Sequence, residues 1–269
     1  MKVTTVREAD PSVTRLQSGV PVIGTRITPL NLDGTVNLLM ELIYAKARTY
    51  VCVANTHTTT LAMRDQRFRN ALAGAAAIVA DGMPVVWLVR GAGYPQAGRV
   101  HGADLVETMC ASGIHGRLRH GFFGGWKGTA EMMASRLKQR YSSLYIAGLW
   151  EPGLIDEGDQ SVPELLQAIN DAQCDVLWIG LGAPKQEIWM AQHCTQLRVP
   201  VLVGVGQAFD ILAGHTTRAP DWMAARGLEW LYRLAHDPRR LWKRYFIYNS
   251  LFLWYLLLEA FGRGDKVEG

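Results

Sequence analysis

Short apolar runs rich in β-branched residues alternate along this chain with segments whose apolar residues recur at helical spacing. The runs that we predict to be strands are residues 49–54, 77–80, 119–124, 144–149, 176–181 and 199–205. The segments that we predict to be helices are residues 58–72, 129–141, 162–172 and 185–197. Strands that alternate with helices form βαβ units. The pattern therefore predicts an α/β fold, with a Rossmann-like, mostly parallel sheet flanked by helices.

The length of the chain fits one large domain, or a domain with an appendage. Of the 269 residues, 49% are apolar and 19% are charged, which allows a sizeable core and excludes a mostly disordered chain. We expect residues 1–213 to form the α/β core, with residues 1–20 as a loose arm, and residues 214–269 to form a basic, aromatic, helical C-terminal appendage. The first residues lack the apolar run of a signal peptide, so we expect the protein to stay on the cytoplasmic side.

The cysteines and the net charge narrow the range of functions. The four cysteines are widely spaced and never form a CxxC motif, which argues against a zinc cage or a disulfide framework. The formal net charge of +4 is too small to indicate a nucleic-acid partner by its size alone. The position of the charges along the chain therefore matters more than their sum.

Polar residues and glycines follow five of the predicted strands. The loops concerned are residues 55–58, 81–82, 124–128, 182–187 and 204–210. The carboxyl ends of parallel strands lie at one edge of a sheet, which is where such folds bind their ligands. We therefore expect the five loops to form a single ligand crevice.

Asp81 follows an apolar strand directly, and two roles are open to it. A carboxylate so close to an apolar strand is expected to be partly desolvated and is a candidate general base. Aspartate is also a favoured residue at a helix N-cap. A similar choice applies to Asn55 and Thr56, which are able to bind a sugar or phosphate or to cap the next helix. His57, a lone histidine near a helix start, is more typical of a structural role.

The glycine-rich segment 124–128 either offers backbone amides to a diphosphate at a helix start or is a plain turn. It lacks the P-loop pattern GxxxxGK[ST]. Two other GxG pairs lack the third glycine of GxGxxG, since Lys185 and Phe209 stand there. No Asp-x-Asp motif follows a strand, so we expect no metal, and arginine or amide donors would neutralise a diphosphate instead.

The chain changes character beyond residue 214. Basic residues from Arg226 to Arg244 are interleaved with tryptophan and tyrosine, and an apolar run follows at residues 246–261. The run is short for a membrane-spanning helix, which needs roughly 20 apolar residues. We expect an interfacial amphipathic segment on an anionic membrane surface. The alternatives are a helix packed on the core, with solvated arginines, and a nucleic-acid site, which we do not expect.

Several passages in a fixed order resemble the WecG/TagA/CpsF glycosyltransferases, which form glycosyltransferase family 26. The passages are the strand that ends in Asn55, then IVADG at 78–82, RVHGADL at 99–105, GAPKQE at 182–187, and 204–220, which continues into GLEWLYRL at 227–234. Each motif alone is modest evidence, whereas the ordered set is specific. The resemblance extends over about residues 20–245.

The resemblance implies an inverting enzyme that needs no metal and no cofactor. Members of the family transfer a sugar from a UDP-sugar to a sugar on a polyprenyl diphosphate, at the cytoplasmic face of the membrane. They build enterobacterial common antigen, teichoic acid linkage units and exopolysaccharides, with N-acetylmannosamine, N-acetylmannosaminuronate or glucose as the donor sugar. The donor sugar, the acceptor sugar and the oligomeric state stay open here, a homo-oligomer included.

The resemblance also implies roles for single residues. Asp81 matches the family's catalytic base, and Asn55 and Arg99 match further active-site residues. The resemblance and the strand-end loops together indicate a set of candidate substrate-binding residues. They are Thr56, Gly125, Gly182, Lys185, Gln186, Gly206, Asp210, Arg233 and Arg240, with Lys243 and Arg244 as weaker matches. Many members have threonine where this chain has Val53, so a hydroxyl role at that position does not carry over.

Two other functions compete with the transferase. One is a non-catalytic, membrane-docked subunit of a polysaccharide assembly complex. The other is a nicotinamide-dependent oxidoreductase, against which the incomplete GxGxxG patterns argue.

Overall fold

The centre of the protein is a parallel sheet, in a computed structural model that describes residues 19–112, 118–151 and 162–262. Its strands are β3 (Thr49–Ala54), β4 (Ala77–Ala80), β5 (Arg119–Gly124), β6 (Tyr145–Trp150), β7 (Val176–Gly180) and β8 (Val201–Gly204). They lie in the order β4-β3-β8-β7-β5-β6, and all neighbouring strands are parallel. The predicted α/β class is confirmed.

Helices cover both faces of this sheet. In the described residues they are α1 (Leu32–Tyr44), α2 (Thr56–Ala62), α3 (Gln66–Ala73), α4 (Met83–Gly91), α5 (Gly102–Ser112), α6 (Thr129–Arg140), α7 (Val162–Ala172), α8 (Lys185–His193), α9 (Ala208–Ala213), α10 (Asp221–Ala225), α11 (Glu229–His236) and α12 (Pro238–Ala260). Successive strand side chains point to opposite faces. Val51 and Val79 join a core with α1, α5 and α6, whereas Cys52 and Ile78 join a core with α3, α4 and α8. Because both faces are covered, the strands read as continuous apolar runs.

The predicted bounds are close to the observed ones. Four predicted elements match residue for residue: strands 49–54, 77–80 and 119–124, and helix 162–172. The other predicted elements differ by one to four residues at an end: strands 144–149, 176–181 and 199–205, and helices 129–141 and 185–197. The four cysteines are free and buried.

The prediction of one helix over residues 58–72 is wrong. The structure has two helices there, because α2 ends at Ala62, with Met63 as its C-cap, and Asp65 caps α3. The Asp65 Oδ1 atom accepts a hydrogen bond of 3.0 Å from the backbone amide of Phe68. Such a bond satisfies an otherwise unpaired amide of a new helix, so the helical spacing continues while the backbone turns.

The N-terminal hairpin was not among the predicted elements. Strands β1 (Val20–Val22) and β2 (Thr25–Ile27) are antiparallel, and Ile23 and Gly24 form the turn with positive φ angles of 39° and 74°. The predicted loose arm of residues 1–20 lies outside the described residues up to residue 18. Its last residue, Val20, is wrongly placed there, since it begins β1.

The apolar segment 246–261 is almost entirely part of the long helix α12, which packs on the core along one side. The rings of His57 and Tyr248 have centroids 4.3 Å apart, and Phe252 is buried. Near the end of the helix, Glu259 Oε2 accepts a hydrogen bond from the backbone amide of Ile23 at 3.2 Å. This side of α12 therefore agrees with the alternative prediction of a helix that packs on the core.

The opposite side of α12 presents apolar residues to solvent. An exposed apolar stripe, which we call the outer stripe, consists of Trp242, Phe246, Leu253, Leu257 and Phe261. These positions recur at helical spacing, so they share one face. No helix within the three described ranges is long and apolar enough to cross a membrane.

Candidate active site

A cleft of about 2100 Å³ lies at the carboxyl edge of the sheet. The loops after β3, β4, β5, β7 and β8 all line it, so the expected single crevice is confirmed. The candidate residues that line the cleft are Asn55, Thr56, Asp81, Arg99, Gly125, Gly182, Lys185, Gln186, Gly206, Asp210 and Arg233. Arg240 belongs to α12, and its side chain lies outside the described part of the structure.

Asp81 stands at the end of β4, where Arg99 anchors it. The Arg99 Nε atom donates to Asp81 Oδ1 at 3.1 Å and to the Asp81 backbone oxygen at 2.7 Å. Each of the two side chains is 20% exposed. The N-cap of α4 is Gly82, so Asp81 does not have the helix-capping role. An anchored carboxylate that lines a cleft is suited to accept a proton from a ligand.

A row of alternating charges leads from Asp81 to the C-terminal appendage. Arg99 Nη2 donates to Glu229 Oε2, and Arg233 Nη2 donates to Glu229 Oε1. Arg233 Nη1 also donates to Gln207 Oε1 at 2.6 Å. Glu229 is therefore shared by one guanidinium of the core and one of the appendage.

The charges of this row stabilise one another despite burial. Burial opposes the charge of Arg99, but Asp81 and Glu229 outweigh it, so the pKa of Arg99 is raised. Burial acts against the charge of Glu229 as well, but Arg233 and Arg99 outweigh it and lower the pKa of Glu229. Burial lowers the pKa of His101, whose Nε2 lies 3.9 Å from Glu229 Oε1. At neutral pH the row thus alternates in charge beside a neutral imidazole.

Two passages that are far apart in sequence meet beside this row. Arg218 Nη2 lies 2.9 Å from His101 Nδ1 and forms an ion pair with Asp104. The RVHGADL segment of the core therefore contacts the RAP segment at residues 218–220, near the start of the appendage.

Asn55 caps the helix that follows β3. Its Oδ1 atom accepts hydrogen bonds from the backbone amides of His57 at 3.0 Å and Thr58 at 3.2 Å, within a capping box. The capping role is confirmed, and it uses the side-chain oxygen. The amide nitrogen of Asn55 is the donor that is left for a ligand in the cleft.

Thr56 connects this loop to the appendage. Its Oγ1 atom donates to Asn249 Oδ1 at 3.3 Å, and Asn249 also lines the cleft. The wall of the cleft near Asn55 thus includes a polar pair that joins the core to α12.

Gln186 is buried and holds the loop after β7. Its Oε1 atom accepts from the backbone amide of Gly182 at 3.2 Å, and its Nε2 atom donates to Glu187 Oε1 at 2.8 Å. Burial raises the pKa of Glu187 to about 7. Gln186 therefore shapes the Gly182 loop, while Lys185 beside it is exposed and lines the cleft.

The helix start after β5 already binds a carboxylate of the chain. Glu151 accepts hydrogen bonds from the backbone amides of Gly128 and Ala130, both at 2.7 Å. The Gly125 amide donates to the backbone oxygen of Gly180 at 3.1 Å. Two amides of the segment that was expected to approach a diphosphate, those of Gly125 and Gly128, thus have partners within the protein in this structure.

The sequence interpretation did not single out Glu229, His101 or Gln207 as site residues. Glu229 and Arg233 are four positions apart on a helix, a spacing that signals an ion pair. The contact of Glu229 with Arg99 joins residues 130 positions apart, and no local pattern signals it. Within the ranges that the structure describes, no group of three or more His, Cys, Asp or Glu residues is placed to hold a metal ion.

The sequence of this chain is similar to those of several known proteins. The model of the Glycosyl transferase WecG/TagA/CpsF family matches residues 20–266. A Staphylococcus aureus (strain MRSA252) protein is 30% identical over 223 residues, which cover 80% of this chain and 85% of the relative. A Bacillus spizizenii protein is 29% identical over 195 residues, 72% of this chain and 74% of the relative. A Bacillus subtilis protein is 27% identical over 215 residues, 80% of this chain and 82% of the relative. All three relatives are named N-acetylglucosaminyldiphosphoundecaprenol N-acetyl-beta-D-mannosaminyltransferase.

Proposed function

The chain belongs to the Glycosyl transferase WecG/TagA/CpsF family, and we propose that it is an inverting hexosyltransferase that uses a UDP-sugar without a metal or cofactor. The acceptor is a sugar carried on a polyprenyl diphosphate. The product is an intermediate of a bacterial cell-surface polymer or exopolysaccharide.

The observation that carries the proposal is the carboxylate of Asp81, anchored by Arg99 inside the cleft. Asp81 takes the proton of the acceptor hydroxyl while the hydroxyl oxygen forms a bond to the anomeric carbon of the donor sugar. The bond from that carbon to the diphosphate oxygen breaks, and UDP leaves with the electron pair. A single displacement of this kind inverts the configuration and needs one base.

Cationic and amide donors stabilise the leaving UDP. Arg233 and Lys185 line the cleft together with the Gly206 loop. Arginine binds diphosphate oxygens through two parallel hydrogen bonds, which is a means of balancing charge without a cation. We assign Arg233 and Lys185 to the diphosphate, with Arg240 as a further arginine from the appendage.

The names of the relatives favour one pair of substrates within the class. They describe transfer of N-acetylmannosamine to N-acetylglucosamine on undecaprenyl diphosphate. We propose a donor of the N-acetylmannosamine type for this chain, with a glucose donor as the alternative. Both share the same displacement at the anomeric carbon.

The appendage, residues 214–269, brings the core, residues 1–213, to the membrane that holds the acceptor. The outer stripe of α12 is exposed, and Lys243 and Arg239 lie on the same helix. Apolar burial and attraction to anionic lipid act together in peripheral binding. We propose a peripheral enzyme at the cytoplasmic face of the membrane, with no nucleic-acid partner.

A donor panel tests the proposal. Purified protein in EDTA is incubated with several UDP-sugars, including N-acetylmannosamine and glucose donors, and with a short-chain polyprenyl-diphosphate N-acetylglucosamine. We expect one donor to release UDP only when the acceptor is present. If no donor releases UDP, with or without lipid vesicles and Mg²⁺, the proposed function is wrong and the docking-subunit alternative takes its place.

A further inference from the structure

One edge of the Arg99 guanidinium contacts two different carboxylates, those of Asp81 and Glu229. Arg99 Nε contacts Asp81, whereas Nη2, on the same edge, contacts Glu229. The Nε and Nη2 groups form a fork that matches the two oxygens of a single carboxylate. In this structure the fork is split, so Asp81 receives one side-chain contact from Arg99 instead of two.

The split leaves one oxygen of Asp81 without an Arg99 contact. A carboxylate that is gripped by both oxygens is stabilised in its charged form and is a weaker base. In this structure Nη2 donates to Glu229, and Nε donates both to Asp81 Oδ1 at 3.1 Å and to the Asp81 backbone oxygen at 2.7 Å. The side chain of Glu229 is 17% exposed and lies between Arg99 and Arg233, so solvent screens these contacts only in part.

We infer that Glu229 is a positioning residue, which keeps Arg99 from closing on both oxygens of Asp81 and restrains Arg233 until a diphosphate arrives. The inference rests on the proposed function, in which Asp81 is the base and Arg233 contacts the donor. Glu229 acts through these two arginines and does not touch the reacting atoms.

The inference predicts that loss of the Glu229 charge lowers kcat but does not raise the KM for the donor. Without the charge of Glu229, Arg99 closes on Asp81, so kcat falls by about tenfold. The same change frees Arg233, whose guanidinium keeps its contact with Gln207, so the KM for the donor stays equal or falls. A residue that only held the appendage in place would have the opposite signature, because its loss would displace Arg233 and raise the KM.

The first test is structural and does not depend on activity. A crystal structure of Glu229→Gln is expected to show Nε and Nη2 of Arg99 on the two carboxylate oxygens of Asp81. Retention of the single contact, with Nη2 still at residue 229 or in solvent, would overturn the inference.

The second test is kinetic and uses wild type, Glu229→Gln and the matched control Glu41→Gln, which is exposed on α1. The expected result is a lower kcat with an equal or lower donor KM for Glu229→Gln, and no change for the control. In an Arg99→Lys background, Glu229→Gln is expected to change kcat by less than about twofold. The reason is that the ammonium group of lysine lacks the paired N–H groups with which a guanidinium binds both oxygens of a carboxylate.

The possible outcomes separate the inference from the proposed function. An active wild type with an unchanged kcat or a raised donor KM in Glu229→Gln overturns the inference alone. A wild type that transfers no sugar overturns the proposed function, and the crystal structure of Glu229→Gln then still decides whether Glu229 splits the fork.

Discussion

One guanidinium fixes both the main chain and the side chain of Asp81. Arg99 Nε lies 2.7 Å from the backbone oxygen of Asp81 and 3.1 Å from its Oδ1 atom. Asp81, which directly follows β4, is thereby held in a defined position, although it belongs to a loop. A base on a loop is preorganised only when such contacts restrain it.

A pair of substitutions separates the capping role of Asn55 from the ligand-binding role that we propose for it. Asn55→Asp keeps an oxygen for the cap of α2 but removes the Nδ2 donor and adds a negative charge near Asp81. We expect its free energy of unfolding to stay near that of wild type while UDP release falls. Asn55→Ala removes the cap as well and is expected to lose about 1 kcal/mol of stability. Denaturant unfolding and the UDP-release assay, run on both variants, measure the two effects.

The opposite pattern would show that Asn55 acts through the cap alone. In that case Asn55→Asp would retain the wild-type rate of UDP release, and only Asn55→Ala would be impaired, in proportion to its lost stability.

Arg233 is expected to contribute to donor binding more than to the chemical step. Arg233→Gln removes the charged hydrogen-bond donor that we assign to the diphosphate. Such a bond is worth about 1.5–3 kcal/mol, so we expect the donor KM to rise by about tenfold or more. The matched control is Arg226→Gln, because Arg226 is exposed on the appendage and contacts the backbone oxygen of Trp222. Steady-state kinetics with varied donor would contradict the assignment if both variants kept the wild-type KM.

We expect Glu187 to make the free energy of unfolding depend on pH. Burial raises its pKa from 4.5 to about 7, so the folded state binds this proton more strongly than the unfolded state. This difference in proton binding contributes about 3 kcal/mol to the free energy of unfolding. The contribution is fully present below pH 4.5 and is lost as the pH rises to about 7. Glu187→Gln has no such proton and is expected to lose less stability over this range.

Urea unfolding from pH 5 to pH 8 measures this difference, with Glu164→Gln on α7 as an exposed control. If wild type and Glu187→Gln lose the same stability across the range, burial does not raise the pKa of Glu187 in solution.

The outer stripe of α12 is expected to bind anionic vesicles. Phe246 and Leu257 are 72% and 51% exposed and do not line the cleft, so replacing both with serine removes apolar area from the proposed membrane contact and leaves the packed face of the helix intact. Tyr44, 77% exposed on α1, gives the matched control Tyr44→Ser. Cosedimentation with phosphatidylglycerol vesicles is expected to fall for the double variant, to stay unchanged for the control and to weaken with salt. Equal sedimentation of all three proteins would exclude the stripe from the contact.

Much of the sheet could be predicted because its strands are buried on both faces. Residues 49–54 and 77–80 form continuous apolar runs for this reason, and they end where the structure ends them. The hairpin β1–β2 was missed because each strand has three residues, too few for a clear alternation. At the break between α2 and α3, Asp65 caps the start of α3 and Arg69 donates to the backbone oxygens of Ala62 and Met63, while the helical spacing of the sequence continues.

The loops that form the candidate site could be predicted from the sequence, but the contacts between its charged side chains could not. Polar residues at strand ends, Asp81 and Asn55 among them, are visible because parallel strands bring their carboxyl ends together. The contact of Arg99 with Glu229 depends on how the appendage docks, and residue spacing carries no information on that. The N-cap of α4 could not be predicted from residue type either. Aspartate is the better capping residue, but the N-cap position is occupied by Gly82 and not by Asp81.

The most direct test of the account compares wild type with Asp81→Asn, using Asp33→Asn on the exposed side of α1 as the control. UDP binding is measured by calorimetry, and acceptor-dependent UDP release is measured with the best donor of the panel. We predict that Asp81→Asn binds UDP as wild type does and transfers sugar at least about 100-fold more slowly, while the control is unaffected. Transfer by Asp81→Asn at the wild-type rate would contradict the account, because Asp81 would then not be the base.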